Sequence, residues 1–177
     1  MNTTGKLIQL SPTHLDFHQI LDLDREQFPR PWSAKDWIDL NWDHHLLFSW
    51  WLDGQTVGFA LFSLVTGDNA AHLLKICLRS DLRGQGISQQ FWDVCLLKIR
   101  ERGAKSIYLE VESQNHRAIG FYKKLNFETL RTVKGYYSDG TDAITMQMTT
   151  WVRNALKLLF RFDFVTYVAC LRFRWCC

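Results

Sequence analysis

The run HLLFSWWLDGQTVGFALFSLV, residues 45–65, is broken at its centre by Asp53-Gly54. Apolar, aromatic and β-branched residues fill both halves, and an Asp-Gly pair between two such halves is the strongest short-range signal for a hairpin. A second turn at TGDN and the apolar stretch AAHLLKICLR extend the hairpin to three connected strands. A sheet therefore organises this chain, and the helices must pack on its faces. With 177 residues, 47% of them apolar, the chain can bury one domain-sized core.

The remaining elements follow from local signals. KLIQL predicts a first strand. Ser11-Pro12 offers an N-cap and a proline at the first helical position, which predicts a helix running to about Glu26. The prolines of FPRPWSAKDWIDL end that helix, and Ser33 starts another. Gly86 to Arg102 reads as a helix with Phe91, Val94, Cys95 and Ile99 on one face and Gly103 as its stop. KSIYLEVE is a strand, and Asn115 to Leu125 a helix with Ile119, Tyr122 and Leu125 three apart. FETLRTVKGYYSDGTDAITMQM supplies two strands around a Ser-Asp-Gly turn. The order predicts a mixed α/β (α+β) fold. Its largely antiparallel sheet has six to seven strands, about four flanking helices, and a crossover after the fourth strand. Residues 1–150 form this domain, and residues 151–177 a basic aromatic C-terminal tail.

Charge and cysteine usage narrow the function. The net charge of +3 is too small to suggest direct nucleic-acid readout, and it is concentrated in the tail. There Arg153, Lys157, Arg161, Arg172 and Arg174 face a single acid, Asp163. The five cysteines form no C-x-x-C pair, and the six histidines no H-x-x-x-H, so no metal site is expected. An odd number of cysteines without a framework reads as reduced thiols in a cytoplasmic protein. MNTTGKLIQLSP lacks the basic start and apolar core of a signal peptide, and no apolar run approaches the ~20 residues that span a bilayer.

The stretch LRSDLRGQGISQQF, residues 78–91, places Gly84 and Gly86 between an apolar strand and a helix. One reading is a glycine-eased turn. The other is a cradle for phosphate, because a helix start presents unpaired N–H groups and a positive dipole end. The stretch has neither the P-loop lysine nor the parallel unit of a dinucleotide site, and a pyrophosphate fits it well.

The loop R-x-x-G-x-(G/A/S), then L-E-V in the following strand, then N-x-x-A-I-x-F-Y-x-x-L-x-F resembles the GNAT superfamily of acetyl-CoA-dependent N-acetyltransferases. FPRPWS, YLEVESQNHRAIGFYKKLNFE and GYYSDGTDAITMQM resemble, more narrowly, the bacterial ribosomal-protein alanine N-acetyltransferases. The likeness covers about residues 6–149. It implies a GNAT fold in which Arg83, Gly84, Gln85, Gly86, Ile87, Ser88 and Gln89 wrap the coenzyme A pyrophosphate. Ile76, Cys77 and Leu78 would line the pantetheine arm, with an N–H near Cys77 facing the thioester carbonyl, and Asn115 would cap a helix and touch the cofactor. Ser88 departs from the usual glycine or alanine. By the same resemblance Glu110 is the general base and Tyr122 the acid that protonates the leaving thiolate. Read from the residues alone, Glu110 is also an outward strand carboxylate and Tyr122 a core residue. Phe28–Trp32 and Tyr136–Tyr137 would flank the acceptor groove, or else edge the core. Cys77 and Cys95 read as packing residues.

A base is needed because a free α-amine, with a pKa of ~8, is mostly protonated near neutral pH. A lysine amine adds roughly 2.5 units, about 3.4 kcal/mol. The expected acceptor is accordingly a protein N-terminus, by resemblance the alanine of a small-subunit ribosomal protein. A lysine or small-molecule amine is the alternative acceptor, and a non-catalytic acyl-CoA-sensing module the alternative function. In the tail, Arg153, Lys157 and Arg161 are spaced by four, and apolar and polar residues alternate after Phe160. The tail reads either as a helix packed on its own domain or as a surface segment touching anionic lipid, the ribosome or a second subunit.

Overall fold

In the computed structural model, which describes residues 5–65 and 67–150, Asp53 and Gly54 both take positive φ, 49° and 80°. That is the two-residue turn whose twist matches the flanking strands, β2 (His45–Leu52) and β3 (Gln55–Val65). Before them come β1 (Lys6–Leu10), α1 (Phe17–Gln27) and α2 (Ala34–Ile38). After them come β4 (Ala70–Leu78), α3 (Ile87–Glu101), β5 (Ser106–Glu112), α4 (His116–Lys124), β6 (Glu128–Val133) and β7 (Ala143–Thr149). The order and type of the elements agree with the expectation. The tail from residue 151 lies outside the described residues.

One boundary differs. Ser11-Pro12 opens a turn, and α1 begins only at Phe17. The Ser11 carbonyl accepts from His14 N–H, and the hydroxyls of Ser11 and Thr13 bond each other at 2.9 Å. These local bonds hold the first residues out of the helix. Ser33 does cap α2, in a reciprocal box with Asp36.

The seven strands lie in the order β1-β2-β3-β4-β5-β7-β6. All neighbours are antiparallel except β4 and β5, joined by the α3 crossover. This parallel pair holds for only three positions, Ala70 with Ser106, Ala71 with Ile107 and His72 with Tyr108. Beyond them the strands part. A bulge coincides with the parting: Leu61 of β3 pairs with Lys75 and Phe62 with Leu73, so Leu74 is an extra residue on β4. An extra residue bends its strand. Gly58 of β3 lets the far end of β4 lie close, since a side chain there would meet the Cys77 carbonyl at 2.7 Å.

The two faces of the sheet carry separate cores. Phe91, Cys95 and Ile99 of α3, with Ile119 and Tyr122 of α4, pack on Ile107, Leu109 and Val111. Ile20 and Leu23 of α1, with Trp37 of α2, pack on Phe59 and Leu61 across the sheet. Leu109 and Val111 face α3 and α4, so the alternation of β5 turns Glu110 and Glu112 to the side of α1 and α2.

Candidate active site

The fork between β4 and β5 carries Ile76, Cys77 and Leu78 on one arm and Glu110 on the other. Ile76, Cys77 and Leu78 lie on β4 past the last parallel pair, so among the described residues their edge toward β5 has no ladder partner. At the end of β4, Gly84 and Gly86 take φ of 80° and 81°, a conformation that favours glycine, and the space above them is open. No side chain among the described residues caps α3. Among the described residues the amides of Gly84, Gln85, Gly86, Ile87 and Ser88 meet no backbone acceptor. Successive bare N–H groups at a helix start suit a pyrophosphate, and an unpaired strand edge suits an amide-bearing arm.

The loop is braced from beneath. Arg83 donates from Nε to the Leu78 carbonyl at 3.0 Å and from Nη2 to Gln27 at 2.7 Å. Gln85 donates to the Asp81 carbonyl and Gln89 to Asp93. Arg83 and Gln85 hold the loop's shape, while the Gln89–Asp93 bond runs along α3. Ser88 sits half-buried in the first turn of α3. Asn115 caps α4, accepting from Ala118 N–H at 3.0 Å.

Glu110 stands at the fork. Its Oε2 lies 2.6 Å from His72 Nε2, and the His72 ring stacks on Tyr108 with centroids 4.3 Å apart. The bond orients the carboxylate and the imidazole on each other. Sequence reasoning missed His72. Its only trace is a polar residue between Ala71 and Leu73, both buried, and the register that sets it beside Tyr108 is tertiary.

Tyr122 packs on Phe121 and Phe127 in the core on the α3–α4 face of the sheet. Burial pushes its phenol pKa above the ordinary value, and the nearby Tyr137 phenol adds to the shift. It is a core residue whose phenol stays protonated at neutral pH. Burial also pushes the Cys77 thiol up to about 12 and the Cys95 thiol well above its usual range. Neither supplies thiolate at neutral pH. Alkylation of the native protein at neutral pH, read by peptide mapping, is expected to leave both unlabelled; rapid labelling of Cys77 would reopen an acyl-cysteine route.

On the α1–α2 side, Phe28–Trp32 crosses the fork. Phe28 and Trp32 cover the Lys75 ammonium, 4.5 and 4.7 Å from their ring centroids, and Lys75 pairs with the fully buried Asp24. Asp24 also accepts from Trp32 N–H at 2.8 Å and from Trp37 Nε1 at 2.9 Å. Arg30 pairs with Glu112 and Asp139, and lies 4.5 Å over the Tyr137 ring. Tyr136 and Tyr137, in the loop between β6 and β7, meet edge to face at 5.0 Å. Among the described residues no group of three His, Cys, Asp or Glu is placed to hold a metal.

Comparison with known proteins agrees with this architecture. An N-alpha-acetyltransferase of Saccharolobus solfataricus is 27% identical over 143 residues, covering 74% of this chain and 86% of the relative. The crystal structure of the ribosomal-protein-S18-alanine N-acetyltransferase from Escherichia coli superposes with a TM-score of 0.74 at 25% identity, over 83% of this chain and 94% of that one. Arabidopsis thaliana Naa50, solved in complex with the bisubstrate analogue CoA-Ac-MVNAL, gives 0.70 at 21% identity, over 81% and 97%. The profile of the Acetyltransferase (GNAT) family matches residues 17–127, from the start of α1 through α4 and on to Phe127. With the forked sheet, the bare glycine loop and the profile in agreement, this chain belongs to the GNAT family of acetyl-transferring enzymes.

Proposed function

We propose that the protein is an N-alpha-acetyltransferase that moves acetyl from acetyl-CoA to a protein N-terminal amine, with the N-terminal alanine of a small-subunit ribosomal protein as its acceptor. The observation that carries this reading is Glu110 at the β4–β5 fork, held by His72 on the face that α1 and α2 roof. The likeness to enzymes named for N-alpha and ribosomal-protein alanine acetylation supports it.

When bound, acetyl-CoA supplies the acetyl group as an activated thioester. The amides of residues 84–88 would hold its pyrophosphate, and the β4 edge at Ile76, Cys77 and Leu78 its arm. Glu110 takes a proton from the acceptor ammonium, directly or through one water, while His72 keeps the carboxylate oriented. The free amine then attacks the thioester directly, with no acetyl-enzyme.

Tyr122 donates a hydrogen bond to the departing sulfur. An ordinary phenol sits about 1.5 units above a thiol, and burial widens that gap. The contribution is therefore a bond that tightens as thiolate charge grows, rather than full proton transfer. Tyr122→Phe is expected to lower kcat by roughly tenfold to 10² and to leave acetyl-CoA affinity nearly unchanged by calorimetry. An unaltered kcat would remove Tyr122 from the chemistry.

The function itself is tested by initial rates. An alanine-starting peptide should be turned over far faster than the same peptide with a blocked N-terminus and an internal lysine, and faster than a polyamine. Preference for either rival would move the acceptor to a side-chain or small-molecule amine, and binding without turnover on any amine would favour a sensing module.

A further inference from the structure

We propose that Arg30 is a positioning residue for the acceptor chain. Its guanidinium fastens the Phe28–Trp32 segment across the β4–β5 fork and sets the Tyr137 ring, so the two walls of the acceptor groove keep a fixed separation. The proposal rests on the N-terminal acetylation reading given above.

The segment is anchored at both ends, and the two anchors differ in kind. On the β4 side the anchor is interior: Asp24 is 0% exposed and Lys75 6%, beneath three aromatic rings. On the β5 side the anchor is Arg30, and its side chain and those of Glu112 and Asp139 are 34%, 27% and 49% exposed. Ion pairs in such half-exposed positions add little to stability, so the outer anchor is not explained by the folding of the domain.

Its geometry suggests the role. One guanidinium meets three partners from two elements: Glu112 at the end of β5, and Asp139 and Tyr137 in the loop between β6 and β7. A planar fork can serve two carboxylates while its face covers a ring, which a lysine ammonium cannot. Glu112 lies two residues from Glu110 on the same face of β5, so this joint sits beside the proposed base. Both terminal nitrogens of Arg30 are paired with these carboxylates, and a guanidinium does not give up its proton, so Arg30 orders the groove instead of reacting in it.

Steady-state kinetics on the full chain test this, with an alanine-starting peptide and acetyl-CoA varied separately. Arg30→Met is expected to raise the peptide KM about tenfold or more, with kcat at saturation and the acetyl-CoA KM within about twofold of wild type. The thermal midpoint should move by less than about 2 °C. Arg30→Lys should recover less than half of the lost kcat/KM. An unchanged peptide KM in Arg30→Met would overturn the proposal. So would a parallel rise in both KM values with a large fall in midpoint, since that marks a general structural role. Wild-type protein inactive on the peptide would strike at the N-terminal acetylation reading itself.

Discussion

Glu110→Gln is expected to lower kcat/KM by about 10² near neutral pH, and the deficit should shrink as the pH rises. Glutamine keeps the size of the side chain and can still hydrogen-bond His72 Nε2, so the geometry of the fork survives. What it loses is the ability to take a proton. The variant then depends on acceptor that is already neutral, about a tenth of an α-amine near pH 7 and about nine-tenths near pH 9. The gap between variant and wild type should therefore narrow roughly tenfold across that interval. A wild-type rate for Glu110→Gln at neutral pH would show that Glu110 is not the base. A constant deficit at every pH would assign it to binding or orientation.

The second large effect is on stability. Asp24→Ala is expected to cost about 3–5 kcal/mol, measured by chemical denaturation. The carboxylate is fully buried and serves three donors: Trp32 N–H, Trp37 Nε1–H and the Lys75 ammonium. Its removal leaves two N–H groups unpaired and Lys75 alone among aromatic rings. Desolvation already pulls the Lys75 pKa below its ordinary value, with the Asp24 pairing acting against that pull. Removing the charge as well, in Asp24→Ala with Lys75→Met, should recover much of the loss, because a buried pair replaced by apolar groups is often close to neutral. A cost below about 1 kcal/mol for Asp24→Ala would mean that water reaches the site and that the pair is not the interior anchor of the Phe28–Trp32 segment.

The parts of this molecule that were legible in its sequence are those set by neighbours along the chain. Asp53-Gly54 makes its turn with two positive φ angles, Ser33 caps its helix with Asp36, and Gly103 takes φ of 84° just past α3. Leu109 and Val111 are buried, which turns Glu110 outward as the alternation of YLEVE requires. Even so, Ser11-Pro12 misled, because local hydroxyl and histidine bonds outcompete the first turn of the helix. The hidden parts are the joints between distant residues. His72 meets Glu110 across 38 positions, Asp24 meets Lys75 across 51, and Arg30 meets Asp139 across 109. The first depends on the β4–β5 register, and the other two join segments far apart along the chain. The extra residue at Leu74 is invisible in LLKICL, yet it accompanies the parting of β4 from β5 that exposes the fork. The glycine loop, Glu110 and Tyr122 were identified through family motifs; their alternation and spacing alone allowed an ordinary turn, a surface carboxylate and a core ring.

The central claim is direct transfer to an N-terminal α-amine, and fragment-ion mass spectrometry tests it most directly. The substrate is a peptide with an N-terminal alanine and one internal lysine, incubated with the full chain and acetyl-CoA. The account predicts a single added acetyl, located on the α-nitrogen, with no acetyl retained on the enzyme. Acetyl on the lysine side chain, or an acetylated enzyme that forms and decays at the rate of turnover, would contradict it.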